Sequence, residues 1–229
     1  MSKCLLCGSQ LNSSLSLDFL MNFKPYQQPV ICKKCQRQFK RILSHHCCKD
    51  CCRAGNFKGK LCQDCRRWRR LTGKRFQNYS LYLYNSMMSE YMRRYKFMGD
   101  YRLRHVFQNQ FSRFVEDQKR MIVPIPIHRG TYQQRGFNQV KGLLKQIPIT
   151  DCLTTMSVQK SVPQSHKSRT DRLQLRQPFQ FVSRYRDDIK GKDVAIVDDV
   201  YTTGTTIRHA AQLLKQAGAK SVIGITLAR

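Results

Sequence analysis

The segment Val194-Ala-Ile-Val-Asp-Asp-Val-Tyr-Thr-Thr-Gly-Thr-Thr206 leaves this chain few folds to choose from. Four consecutive apolar residues, Val194 to Val197, suit a strand buried on both faces of a parallel sheet. Asp198 and Asp199 follow where such a strand surfaces, at the carboxyl edge that open α/β sheets use for ligands. Thr202, Thr203, Gly204, Thr205 and Thr206 then open a helix whose apolar stripe is Ile207, Ala210, Ala211, Leu214 and Ala217. Backbone N–H groups at such a turn attract an anion, and neighbouring carboxylates accept from hydroxyls. A sugar phosphate satisfies both.

The rest of the second half reads as alternating strands and helices, which predicts a mostly parallel sheet. Tyr79–Tyr84 reads as a strand and is followed by a helix with Met87, Met88, Tyr91, Met92 and Tyr95 on one face. After Gly99-Asp100 the spacing of Leu103, Val106, Phe107, Phe111, Phe114 and Val115 predicts a second helix. Arg93, Arg94, Lys96, Arg102 and Arg104 read as basic surface. Met121–Ile127 is a buried strand ended by its prolines, and residues 128–137 form a loop before a helix carrying Phe137, Val140, Leu144 and Ile147. Residues 159–178 are polar and non-periodic, as in a lid or binding loop, with Lys167, Arg169 and Arg172 available to a diphosphate or a nucleic-acid backbone.

Ten of the eleven cysteines fall within residues 1–65, in four C-x-x-C pairs: Cys4/Cys7, Cys32/Cys35, Cys48/Cys51 and Cys62/Cys65. No apolar leader follows the starting Met-Ser-Lys, so the expected compartment is the cytoplasm, where paired thiols point to metal rather than disulfides. Two such turns complete a closed tetrahedral site, so this front should hold one or two structural Zn²⁺ ions. Spacing leaves the pairing open, sequential or cross-braced, with Cys47, Cys52, His45 or His46 as possible substitutes. Too apolar-poor for its own core, the front should unfold on chelation and leave the C-terminal domain intact. The expected boundaries are a zinc module at 1–65, a basic linker at 66–78 and the α/β domain at 79–229.

With 42 Lys and Arg against 14 Asp and Glu, the chain carries a formal net charge of +28, more than solubility needs, and so implies a polyanionic partner. No apolar run reaches the roughly 18 residues of a membrane span. Residues 1–80 hold 17 cations and 3 anions, half the excess in about a third of the chain. Within it, Arg66, Arg67, Arg69, Arg70, Lys74 and Arg75 interleave with Trp68 and Phe76, a pattern suited to single-stranded nucleic acid as well as to a solvated linker.

The Asp198-to-Thr206 string resembles the phosphoribosyl-diphosphate (PRPP) signature of type I phosphoribosyltransferases, with Tyr201 where an aliphatic residue is usual. In that resemblance Asp198 and Asp199 meet the ribose hydroxyls, Thr202 to Thr206 the 5′-phosphate, and Arg129 and Arg135 the diphosphate with its Mg²⁺. Together with Tyr95-Lys-Phe-Met-Gly-Asp100, Arg135-Gly-Phe-Asn-Gln139 and the cysteine pairs, the whole chain resembles the ComF/ComFC competence family. Leu175 departs from its pattern, standing where Asn is usual. The resemblance implies a transformation factor that binds incoming single-stranded DNA and works with a ComFA-type helicase/ATPase. The alternatives are an active phosphoribosyltransferase, for which no acceptor-base pocket is recognisable, and a structural adaptor.

Overall fold

A computed structural model describes residues 2–11, 29–156 and 177–229. The polar segment with Gln164, Lys167, Arg169, Arg172 and Leu175 lies outside the described residues.

Four parallel strands form the main sheet: β1 (Asn78–Tyr82), β2 (Met121–Pro124), β5 (Asp193–Val200) and β6 (Ser221–Ala228). Their spatial order is β1-β6-β5-β2, which places β5 and β6 inside. A smaller antiparallel pair joins β3 (Leu153–Thr155) to β4 (Phe179–Phe181).

Strand β5 shows why its apolar run is unbroken. Ala195 and Val197 face one core and Val194 and Ile196 the other, and all four are fully buried. On the first face lie helices α3 (Ser86–Lys96), α4 (Gln108–Glu116) and α6 (Gln139–Leu143). Asn85 caps α3 by accepting from the Met88 N–H at 3.0 Å, and Met88, Tyr91, Met92 and Tyr95 are its buried stripe. The opposite face packs on α8 (Thr205–Gln216) through Ile207, Ala210, Ala211 and Leu214. Gly218, at φ +100°, lies just beyond its end.

Two segments differ from expectation. The apolar spacing after Asp100 does not make one helix: Tyr101–Val106 is a 3₁₀ turn, and α4 starts at Gln108. Phe107, at the break, packs its ring 4.9–5.0 Å from those of Phe39, Tyr82 and Tyr91, so tertiary packing overrides helical continuity. The supposed loop at 128–137 contains α5 (Arg129–Arg135), capped by His128, whose Nδ1 accepts from Gly130, and closed by Gly136 at φ +82°.

The cysteine-rich front lies on this domain. Residues 40–42 pair with the outer edge of β1, through Ile42 N–H to Leu81 O at 3.0 Å and Leu83 N–H to Lys40 O at 2.8 Å, covering an otherwise open edge. Phe39 enters the α3/α4 core, and Arg94 donates to the carbonyls of Leu5 and Leu6. Residues 63–72, of which 66–72 were expected as linker, are helix α2 (Gln63–Thr72); a shorter helix, α1 (Lys33–Gln36), precedes it, and α7 (Arg186–Ile189) leads into β5. No helix among the described residues is long and apolar enough to cross a membrane.

Candidate sugar-phosphate site and paired cysteine clusters

Asp198 and Asp199 are adjacent in sequence, but the two-residue period of β5 separates them. Asp199 follows Ala195 and Val197 toward α3, where its Oδ1 accepts from Lys96 Nζ at 2.6 Å. Its Oδ2 is buried with no hydrogen-bond partner among the described residues. Asp198 instead lines a small cavity with Thr202, Gly204, Thr206 and Thr226. Burial, reinforced by the Asp199 charge and opposed by Lys96, pushes the Asp198 carboxyl up to about 8. Its Oδ1 also accepts from the Asp199 N–H at 2.8 Å.

Thr202, Thr203 and Thr206 are exposed at the start of α8, and Thr203 and Thr205 share a hydroxyl contact of 3.0 Å. Gly204 takes φ +81°, and a Cβ there would collide with the Tyr201 hydroxyl. Tyr201, where an aliphatic residue was expected, is buried over this glycine; its hydroxyl accepts from Arg208 Nε at 3.3 Å. Arg229 stacks on its ring at 5.0 Å and donates to the carbonyls of Tyr201 and Thr202 at 3.2 and 2.6 Å.

Of the two arginines expected at a diphosphate, Arg129 is exposed at the start of α5. Arg135 donates to Gln139, and its buried Nε has no partner among the described residues. An orphaned carboxylate oxygen, a loop of N–H groups and an unpartnered guanidinium N–H fit a phosphorylated sugar. Sequence reasoning missed Lys96, taken for surface, and the buried trio Asn78, Ser80 and Thr226, whose side chains hydrogen-bond at 2.6–3.1 Å beneath the site. The only signal for Lys96 was its place in the string Tyr95–Asp100.

The cysteines gather sequentially: Cys4, Cys7, Cys32 and Cys35 in one set, Cys48, Cys51, Cys62 and Cys65 in the other, each with its sulfurs within 4.8 Å of one another. A cross-braced pairing is therefore ruled out, and Cys47 and Cys52 bond backbone carbonyls instead. Sulfur separations of 3.6–3.9 Å match the roughly 3.8 Å edge of a tetrahedron with Zn–S near 2.3 Å. The N–H groups of Cys32 and Cys62 each donate to a cysteine sulfur at 3.3 Å. Each set could hold a metal ion.

The second set is not a detached module. Its four cysteines share a core with Ile196, Tyr201, Ile207 and Leu214, and Arg229 reaches Cys51 Sγ at 3.5 Å. That placement removes the basis for expecting the C-terminal domain to ignore metal loss.

The basic stretch is divided. Arg69 grips the fully buried Asp50 through two bonds of 2.7 and 2.8 Å, and Arg75 lies 3.3 Å from it. Trp68 donates its indole N–H to Thr203 O at 2.9 Å, and Phe76 is buried. Arg66, Arg67, Arg70 and Lys74 have no carboxylate partner among the described residues.

The fold and site define a type I phosphoribosyltransferase-like α/β domain carrying an N-terminal pair of Cys₄ sets, and the phosphoribosyl transferase domain family matches residues 133–229. Competence protein ComFC of Streptococcus pneumoniae is 33% identical over 99% of this chain and 100% of its own length. Competence protein ComFC of Bacillus subtilis is 33% identical over 99% of this chain and 94% of its own. DNA utilization protein YhgH of Salmonella typhi is 34% identical over 44% of this chain and 45% of its own length. The chain belongs to the ComFC family of competence proteins.

Proposed function

We propose that this protein is a competence factor that binds single-stranded DNA during uptake, acts with a ComFA-type helicase/ATPase in the cytoplasm, and keeps a PRPP site. The observation that carries the DNA reading is the +28 charge, which a small anionic substrate alone does not require. Arg66, Arg70 and Lys74, exposed, and Arg67, half-buried, supply part of that charge and have no carboxylate partner among the described residues. Each cysteine set holds one structural Zn²⁺, closed to substrate by its four thiolates.

At the second site, Thr202–Thr206 bind the 5′-phosphate through N–H and hydroxyl groups, while Asp198 and Asp199 accept from the ribose hydroxyls. Arg129 and Arg135 orient the diphosphate, with Mg²⁺ neutralising part of its charge. When bound, PRPP supplies an activated anomeric carbon with a diphosphate leaving group.

Calorimetric titration of PRPP with Mg²⁺, in the absence and presence of a DNA oligomer, tests both halves. PRPP should bind, and DNA affinity should fall steeply with salt as counterions are released. Salt-independent DNA binding rejects the nucleic-acid half; absence of PRPP heat rejects the other.

A further inference from the structure

A cavity of about 490 Å³ lies between the end of α2, residues 74–76 and the outer face of α8. Its size is that of a small-ligand site. Four cations line it, Lys74, Arg75, Arg208 and Lys215, with no carboxylate among the described lining residues. Its wall is nonetheless largely aromatic and apolar, through Trp68 and Phe76. Arg208 lies between these two rings, its guanidinium 5.0 Å from the Trp68 centroid and 5.2 Å from that of Phe76. Its Nη2 is buried without a partner among the described residues.

A lining whose charged residues are all cations, around an aromatic interior, selects a ligand that is both flat and anionic. A simple phosphate would leave the rings unused, and an apolar peptide would leave the charge unused. We propose that this cavity takes one nucleotide unit of a single-stranded nucleic acid, its base stacked on Trp68 and the Arg208 plane, its phosphates at Lys74 and Lys215. This rests on the DNA-binding reading above and gives it a place. The cavity is separate from the sugar-phosphate loop, yet Trp68 touches both, through its bond to Thr203 O.

Trp68 is the chain's single tryptophan, so with no sugar phosphate added its fluorescence reports on the occupancy of this cavity. The test titrates the full-length protein with a fluorescein-labelled oligothymidylate, read by anisotropy, and with the unlabelled oligomer, read by Trp68 emission. The expected result is saturable quenching of Trp68 at the same midpoint as the anisotropy change. Lys74→Glu with Lys215→Glu should weaken the quenching at least tenfold while leaving the circular dichroism unchanged. Arg66→Ala with Arg67→Ala and Arg70→Ala, outside the lining, should weaken anisotropy-detected binding and spare the quenching amplitude at saturation. Binding by anisotropy with unchanged Trp68 emission overturns the cavity assignment and leaves the DNA reading standing. No anisotropy change overturns both. Quenching by free thymidine monophosphate but not by the oligomer also overturns it.

Discussion

Lys96 Nζ meets Asp199 Oδ1 at 2.6 Å and joins the last turn of α3 to the edge of β5. Both groups are largely buried, at 19% and 5% side-chain exposure, so each is the other's main compensation for lost water. The pair occupies one Asp199 oxygen and leaves the second, buried without a partner among the described residues, for a ligand. Lys96→Met should therefore destabilise the protein by about 3–5 kcal/mol, the cost of stranding one buried charge. Lys96→Met with Asp199→Asn should recover much of that loss. Urea unfolding of the two single variants and the double variant closes the cycle; additive losses would mean the pair is not coupled.

Asp198 carries a pH signature. Burial raises its carboxyl to about 8, above the ordinary carboxylate range, so the folded state favours the protonated form. That preference stabilises fully below the unfolded value near pH 4 and is lost as pH rises through 8. Asp198→Asn removes the titration and keeps an oxygen for the Asp199 N–H. Melting curves of ligand-free protein should show the variant gaining on the wild type from pH 5 to 8, with the gap constant above about pH 9. A gap independent of pH would refute the assignment.

How much of this was legible depends on how far apart the partners lie. The strand, the two carboxylates and the Thr/Gly loop occupy thirteen consecutive residues, and a period of two or 3.6 places each of them. Cysteine spacing gave the ligand pairs, but only the fold selects which turn meets which. Lys96 lies 103 residues from Asp199, and its local setting is that of any lysine beside an apolar stripe. The basic run at 66–75 misled in part for the same reason. Nothing near Arg69 announces that Asp50, buried behind it, needs its charge.

That buried aspartate ties α2 to the domain. Asp50 is fully buried, binds Arg69 in a fork, and offers its carbonyl to the Asn78 N–H at 2.7 Å at the start of β1. Arg69→Met should cost about 3 kcal/mol, the lower end for a broken buried pair because Arg75 remains at 3.3 Å. Arg66→Met, on the exposed side of the same helix, should cost less than about 0.5 kcal/mol. Equal losses in chemical denaturation would mean that Asp50 does not distinguish them.

The two cysteine sets should differ in what depends on them. Cys7 is exposed, and its set contacts the domain through Leu5 and Leu6, whose carbonyls accept from Arg94 in the last turn of α3 and not from the 201–206 loop. Cys51 is buried and lies 3.5 Å from the guanidinium that holds the Tyr201 and Thr202 carbonyls. Loss of the second metal would free the cysteine sulfurs to move and release Arg229 from the loop, because a thiolate held in place is one of its few anionic partners. Cys7→Ser and Cys51→Ser should each lower the bound zinc from two ions to one per chain by elemental analysis. Hydrogen exchange at residues 201–206 should then rise roughly tenfold in Cys51→Ser, about 1.4 kcal/mol of lost protection, and stay at the wild-type rate in Cys7→Ser. Equal exchange in the two variants would show that the loop is held without the second cluster.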